Sequence, residues 1–128
     1  MLRRTLGRSN VTVSAIGLGT VKFGKSTPDE QCDRILRTAL DRGVDFIDTA
    51  HVYGRSEEII GDALSGAGLR DRAFLCTKIQ PMKNDRATIL EQAETSLRRL
   101  KTDRIDLLLL HRPNPEIPIA ESLEALDR

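Results

Sequence analysis

Four side chains that can carry protons or charge stand at or just beyond the ends of apolar segments. Asp48, Lys78 and His111 each close such a segment, and Tyr53 lies five positions after Asp48. A free phenol is a poor acid at neutral pH because its pKa is about 10, and a neighbouring ammonium favours the phenolate. Lys78 would supply that charge with Asp48 as its ion-pair partner, and a neutral His111 would orient a substrate oxygen. The set predicts proton donation from Tyr53 to a carbonyl, with hydride from a cofactor because side chains carry none.

Each of these residues also has a simpler interpretation when it is taken alone. A polar residue often closes a strand, and Tyr53 with Gly54 makes an equally good turn. A metal site formed by Asp48, His51 and His111 is a weaker alternative, because each strand end offers one histidine and no further clear ligand. We therefore predict no metal and interpret His51 as a loop residue. The conjunction of three strand ends and one tyrosine favours a proton relay.

The segments that must position these residues alternate between short apolar strands and amphipathic helices. A hairpin is predicted over residues 2–14, where a turn cluster interrupts a weak alternation. The predicted strands that follow are residues 15–20, 44–49, 74–78 and 105–110. The predicted helices are residues 56–64, 85–101 and 118–128, with a first helix between Thr27 and Gly43.

The predicted helix ends follow from local capping signals. Thr27 is the expected N-cap of the first helix, with Pro28 at the first helical position and Glu30 completing a capping box. Gly43 stands where a C-cap glycine is expected, and Ser56 is the expected N-cap of the second helix.

Charges at two helix ends agree with the helix dipole. Glu57 and Glu58 lie in the predicted first turn of the second helix, where negative charge is favourable. Arg98, Arg99 and Lys101 are predicted to form the solvated, positively charged end of the third helix. The predicted apolar face of that helix consists of Leu90, Ala93, Leu97 and Leu100.

The composition excludes several classes of protein. The chain has 128 residues, about one domain, and a net charge of +1 from 20 basic and 19 acidic residues, which gives no reason to expect a nucleic-acid or membrane partner. No secretory signal is evident, and the longest aliphatic run is too short to span a bilayer. Cys32 and Cys76 are predicted to be buried, reduced thiols. We expect a cytoplasmic protein.

Four successive strand–helix units, repeating at roughly 30 residues, are typical of a parallel sheet with helical crossovers. The aliphatic strand over 105–110 is predicted to be buried on both faces. Either half of an eight-fold barrel or a small doubly wound sheet fits the pattern, since a full barrel needs about 250 residues. Gly17-Leu18-Gly19 lacks the remaining glycine and the helix of a dinucleotide fingerprint.

The motifs together resemble the aldo-keto reductase family over essentially the whole chain. They are G-L-G-T after the hairpin, G-V-D-F-I-D-T-A-x-x-Y-G-x-S-E-E-I-I-G, a strand ending in T-K, and I-D-L-L-L-L-H. The resemblance implies a (β/α)8 barrel closed by the N-terminal hairpin, of which residues 1–128 form a single partial domain. It implies reduction of aldehydes or ketones by NADPH, less often NADH, without a metal. The family's catalytic tetrad corresponds to Asp48, Tyr53, Lys78 and His111.

The resemblance also implies where a cofactor would lie. The nicotinamide neighbourhood corresponds to Gly19, Thr20 and Val21, with Asp48 also in contact. The family's strands five to eight, which carry most of its NADPH site, have no counterpart here, so we expect a truncated reductase that is weak or inactive alone. Two alternatives remain: a non-catalytic binding or regulatory protein, as the potassium-channel beta subunits are, or a half barrel that self-associates through its exposed sheet edges.

Overall fold

The order of strands and helices follows the predicted alternation. We analysed a computed structural model, which describes residues 1–66 and 68–127. The strands of these residues are β1 (Arg3–Thr5), β2 (Thr12–Ser14), β3 (Gly17–Gly19), β4 (Phe46–Asp48), β5 (Phe74–Ile79) and β6 (Leu107–Leu110). The helices are α1 (Asp29–Asp41), α2 (Ser56–Leu64), α3 (Arg86–Leu100) and α4 (Ile119–Leu126), with a short 3-10 helix at Leu69–Arg72. The predicted end of the last helix at Arg128 lies outside the described residues.

The strands form a hairpin and a parallel sheet. β1 and β2 pair antiparallel, so the predicted N-terminal hairpin is confirmed. β3, β4, β5 and β6 lie side by side in chain order, all parallel. Each helix packs against the next, from α1 to α4. A doubly wound sheet would reverse its strand order and place helices on both faces, so the arrangement is that of half a (β/α)8 barrel.

The core fills the space between the sheet and the helices. Alternate residues of a strand face opposite sides, and Ile47 and Leu75 point toward the helices, where neither has any exposed surface. On the other side of the same strands Phe46 and Phe74 stack with ring centroids 5.5 Å apart. Cys32 and Cys76 are buried free thiols, as predicted. The main cluster further includes Leu36, Leu40, Ile60, Ala63, Leu64 and Leu100.

Two of the predicted helix caps are wrong. α1 begins at Asp29 with Pro28, not Thr27, as its N-cap, because the extended Pro28 backbone (ψ 146°) precedes the helix and its carbonyl accepts the bond from Cys32. α2 begins at Ser56 itself, after Arg55. The prediction for the end of α1 is confirmed: Gly43 follows the helix with φ +80°, a conformation that suits glycine.

The buried face of α3 differs from the predicted one. Its buried side chains are Ile89, Gln92, Ser96 and Leu100, so the prediction is confirmed for Leu100. The other three predicted residues, Leu90, Ala93 and Leu97, are only half-buried. The amide oxygen of Gln92 is satisfied there, because it accepts a hydrogen bond from the backbone of Gln80. Asp85 caps the helix through its carboxylate, which accepts from Thr88 N at 3.0 Å.

β6 is shorter and less buried than predicted. It starts at Leu107, although Asp106 also bonds β5: its N–H donates to Leu75 O, and its carboxylate accepts from Leu75 N and Arg70. Leu109 is 38% exposed on the side of the sheet away from the helices. Leu108 and Leu110 are half-buried against the helix side, so the strand is fully buried on neither face.

Candidate active site

The carboxyl ends of the parallel strands bring the predicted residues to one edge of the sheet. Asp48 ends β4, Lys78 lies near the end of β5, and His111 follows β6. Tyr53 lies in the loop between β4 and α2. The edge is the one at which barrel and open α/β proteins place their functional groups.

Lys78 and Asp48 form a closely held ion pair. The Lys78 ammonium donates to both carboxylate oxygens of Asp48 at 2.7 Å and to the carbonyl oxygen of Thr49 at 2.8 Å. An ammonium has three protons to donate, so these three acceptors fix its position. The side chains are 14% and 31% exposed, respectively. The pair is thus shielded from solvent on most sides but reachable from the open edge.

Tyr53 lies against this pair and against His111. The Lys78 ammonium is 5.4 Å from the centroid of the Tyr53 ring, and the His111 ring meets it edge-on at 5.7 Å and 81°. Consecutive turn bonds hold the tyrosine: Tyr53 N donates to Ala50 O, and Ser56 N donates to Tyr53 O. The structure therefore brings all four predicted residues together.

The surroundings of His111 favour its uncharged form. Partial burial lowers the pKa of His111 below its usual value, and the positive charges of Lys78 and Arg112 lower it further, although Asp48 acts in the opposite direction. Its Nδ1 atom is buried and contacts no hydrogen-bond partner among the described residues. A neutral imidazole carries one donor and one acceptor nitrogen, so it can orient an oxygen without adding a charge.

A buried hydroxyl cluster, formed by Thr20, Thr49 and Ser56, supports the edge from behind. The Thr20 hydroxyl donates to the Asp48 carbonyl at 2.8 Å, and the Ser56 hydroxyl lies 2.8 Å from that of Thr20 and 3.0 Å from that of Thr49. Ser56 thus uses its hydroxyl to tie α2 to β3 and β4 instead of capping the helix. Thr20, predicted to face a cofactor, has no exposed surface.

One carboxylate is buried although the sequence gives no sign of it. Glu57 is 1% exposed and accepts from the Thr77 hydroxyl at 2.7 Å and from the Arg99 guanidinium at 3.3 Å. The prediction of a solvated helix end is confirmed for Arg98 and Lys101, but Arg99 is only 30% exposed and pairs inward with Glu57. An acidic residue in the first turn of a helix usually faces solvent and favours the helix dipole, and nothing in the local sequence distinguishes this Glu57 from its exposed neighbour.

Two of the other predicted cofactor residues, Gly19 and Asp48, border an open hollow. Gly19 and Asp48 line a space of about 470 Å³ between the hairpin and the inner face of the sheet. A Cβ atom placed on Gly19 would find no described atom within 4 Å, and Val21 is exposed. An open glycine beside an apolar residue and an ion pair suits the close approach of a planar polar ring. The residues present therefore fit the nicotinamide end of a cofactor.

The described residues form neither a metal-binding cluster nor a membrane-spanning helix. Within residues 1–66 and 68–127, no group of three or more His, Cys, Asp or Glu side chains is placed to hold a metal ion. In the same part of the chain, no helix is both long and apolar enough to cross a membrane.

Burial, with the nearby Asp48 charge, raises the pKa of the Cys76 thiol to about 11, so this thiol stays protonated.

Comparison with curated proteins gives relatives of similar kind. The chain is 40% identical over 136 residues to the aldo-keto reductase YhdN of Bacillus subtilis (strain 168), covering 95% of this chain and 41% of YhdN. It is 38% identical to a probable voltage-gated potassium channel subunit beta of Arabidopsis thaliana, covering 99% of this chain and 42% of that protein. The chain thus spans less than half the length of these curated relatives.

Solved structures and a family model agree with these relatives. The thermostable aldo-keto reductase Tm1743, in complex with the inhibitor epalrestat, superposes with a TM-score of 0.91 at 39% identity over 99% of this chain and 48% of that chain. The holo form of the aldo-keto reductase AKR11C1 from Bacillus halodurans gives 0.89 at 34% identity over 99% and 45%. The model of the aldo/keto reductase family matches residues 15–128. The chain belongs to the aldo-keto reductase family.

Proposed function

We propose that the protein carrying this chain is an NAD(P)H-dependent reductase that converts aldehydes or ketones to alcohols, with Tyr53 as the general acid. The observation that carries the proposal is the ion pair of Lys78 and Asp48 held against the Tyr53 ring. The family membership of the chain supports it, because the family consists of oxidoreductases that act on small carbonyl compounds. NADPH is the favoured cofactor, and NADH is the alternative.

The proposed roles follow from the charges at the site. Lys78, fixed by Asp48, stabilises the negative charge that develops on Tyr53 as its proton leaves. A neutral His111 donates a hydrogen bond that orients the carbonyl oxygen. A nicotinamide cofactor, when bound, would supply the hydride for the carbonyl carbon. The proton of Tyr53 then completes the alcohol.

The cofactor would be held partly by this chain. Gly19 offers open space for a ring to approach, Val21 offers an apolar surface, and Asp48 offers a carboxylate beside Lys78. Thr20 has no exposed surface and would act indirectly, through its bond to the Asp48 carbonyl. A metal has no part in the proposed reaction.

NADPH oxidation with 4-nitrobenzaldehyde tests the proposal. We expect turnover by the full-length protein that contains this sequence, and little turnover by the 128-residue chain alone. Tyr53→Phe should lower kcat by about 10²–10⁴, the usual contribution of a positioned acid. Full activity of Tyr53→Phe would refute the acid role, and robust turnover by the isolated chain would refute its dependence on further sequence.

A non-catalytic role is the second candidate, and the similarity to the Arabidopsis channel subunit favours it. In that case the site would bind a nicotinamide cofactor without useful turnover, and the protein would act through a partner. Affinity purification that recovers a stable stoichiometric partner, together with cofactor binding and no aldehyde reduction, would support this role over the first.

We also propose that residues 1–128 form one partial-barrel domain that associates with a second copy when it is isolated. β3 and β6 are the outer strands of the described parallel sheet, and Leu109 leaves an apolar surface on its inner face. Light scattering should show a dimer or larger species, and Leu109→Glu should shift it toward monomer. Val11→Glu, at the similarly exposed hairpin (40%), is the matched control. A cooperative monomer of the unaltered chain would contradict the proposal.

A further inference from the structure

The buried carboxylate of Glu57 closes a ring of contacts around the backbone of Lys78. One oxygen accepts from the Thr77 hydroxyl at 2.7 Å, and the other accepts from the Arg99 guanidinium at 3.3 Å. The same Arg99 nitrogen donates to the carbonyl oxygen of His51 at 3.3 Å. The His51 N–H donates in turn to the carbonyl oxygen of Lys78 at 3.1 Å, and the peptide bond from Lys78 to Thr77 completes the ring.

The alternation of the strand explains how this ring reaches the site. Consecutive side chains of a strand point to opposite faces of the sheet. Thr77 therefore meets Glu57 on the helix side, while Lys78 extends to the other side, toward Asp48 and Tyr53. Holding the Thr77 side chain fixes the backbone from which the Lys78 ammonium is presented.

The ring also holds the loop that carries Tyr53. His51 lies between Asp48 and Tyr53 in sequence, and both of its backbone polar groups belong to the ring. The His51 N–H bond ties the loop after β4 directly to the end of β5, and the bond from Arg99 to the His51 carbonyl ties the same loop to α3. Moving either segment would change the distance between the Lys78 ammonium and the Tyr53 ring.

We propose that Glu57 is a positioning residue for the reaction assigned above: through Thr77, Arg99 and His51 it keeps the Lys78 ammonium on Asp48 and over the Tyr53 ring. The inference rests on the proposed function. A buried ion pair is by itself weak evidence for stability, because desolvation offsets much of its attraction. Glu57 and Arg99 lie behind the end of β5, on the helix side of the site. This location favours a positioning role over a stabilising one.

Glu57→Gln in the full-length protein tests the proposal, with Glu58→Gln as the matched control. Glu58 is the next residue of the same helical turn, and it pairs only with Arg55 on the exposed surface among the described residues. We expect Glu57→Gln to lower kcat by about tenfold or more and to change KM by less than about twofold from that of the unaltered protein. A misplaced Lys78 affects proton transfer more than substrate binding. Glu58→Gln should leave both unchanged.

Amide hydrogen exchange in the cofactor-free full-length protein gives a second readout. The His51 N–H, which lies in the ring, should exchange about tenfold faster in Glu57→Gln than in Glu58→Gln, relative to amides of the distant α1. If Glu57→Gln does not fold, Thr77→Val and Thr77→Ser decide. Thr77→Val should reproduce the loss of kcat and the faster exchange, and Thr77→Ser, which keeps the hydroxyl, should restore both.

The outcomes separate this inference from the proposed function. An inactive full-length protein, or a fully active Tyr53→Phe, refutes the proposed function, and the positioning role of Glu57 in catalysis is refuted with it. Activity that Tyr53→Phe abolishes, while Glu57→Gln or Thr77→Val keeps the kcat of the unaltered protein, overturns the positioning role alone. A fall in kcat without faster exchange of the His51 amide also overturns it, since the ring would then not be what holds the site.

Discussion

The ammonium of Lys78 donates hydrogen bonds to both carboxylate oxygens of Asp48. The two residues are far apart in sequence and meet because they lie on neighbouring strands. Two hydrogen bonds to one carboxylate, mostly shielded from solvent, fix the position of the Lys78 ammonium as well as favouring its charge. Its third acceptor, the carbonyl oxygen of Thr49, belongs to the same strand end as Asp48. The cation near Tyr53 is thus positioned by β4 and carried by β5.

Asp48→Asn should therefore lower activity by weakening the hold on Lys78. The amide keeps the shape of the side chain but removes its charge, and it offers Lys78 one acceptor oxygen instead of two. We expect kcat for aldehyde reduction by the full-length protein to fall by about tenfold or more. The control is Asp33→Asn, which breaks an exposed ion pair with Arg37 on α1 and should leave kcat unchanged. An Asp48→Asn variant as active as this control would contradict the role of the pair.

The sequence predicted which residues meet but not how they are supported. Asp48, Lys78 and His111 could be found because each interrupts an apolar strand, and parallel strands align their ends. The predictions for Ser56 and Arg99 differ from the structure because the local sequence does not reveal their surroundings. A serine at a helix start and an arginine at a helix end have the same sequence neighbours whether they face solvent or pack against another segment. Which of these occurs depends on tertiary contacts between residues that are distant in sequence, as those of Ser56 with Thr20 are.

The limits of the elements were less predictable than their existence. The strand predicted over residues 44–49 corresponds to β4, which spans only Phe46–Asp48. Backbone bonds to β5 continue through Asp45 O and Thr49 N, so the two limits differ by the one or two residues within which strand ends are commonly uncertain. The burial of β6 was also not predictable from its apolar run, since Leu109 on the inner face of the sheet is 38% exposed.

Ser56→Ala should destabilise the fold more than an ordinary serine substitution. It removes the hydroxyl at the centre of the buried cluster and leaves Thr49, whose hydroxyl donates to it, without that acceptor. An unsatisfied buried polar group costs about 1–3 kcal/mol. Urea unfolding followed by circular dichroism should show a loss of that size. Ser26→Ala, at an exposed loop position, should change the free energy of unfolding by less than about 0.5 kcal/mol.

Gly61→Ala should be destabilising because α2 and α3 meet at this glycine. A Cβ atom there would lie 2.7 Å from the carbonyl carbon of Leu100 and closer still to the carbonyl oxygen of Arg99. These are backbone atoms, so the helices would have to separate, and overpacking of this kind costs about 1–3 kcal/mol. Gly66→Ala is the control, since its Cβ would find no described atom within 4 Å. Equal unfolding midpoints for the two variants would contradict the close helix contact.

The two histidines should make the fold less stable in mild acid. The pKa of His51 is lowered mainly by burial and then by Arg99, and the pKa of His111 is lowered by burial and then by Lys78. Their pKa values in the unfolded chain are about 6.5. Between that pH and their lower values in the folded protein, the unfolded chain binds more protons, so the free energy of unfolding falls as the pH falls.

Urea unfolding of the chain at about pH 7.5, 6.5 and 5.5 would measure this effect. We expect full stability above about pH 6.5 and a progressive loss below it, well above the pH at which carboxylates such as Asp45 become protonated. His111→Gln and His51→Gln should each flatten the dependence, because glutamine has no charge to gain. If the slope of the unfolding free energy against pH stays unchanged when both histidines are replaced, the acid sensitivity belongs to other groups. That result would also contradict a neutral His111, on which its proposed role in orienting a carbonyl depends.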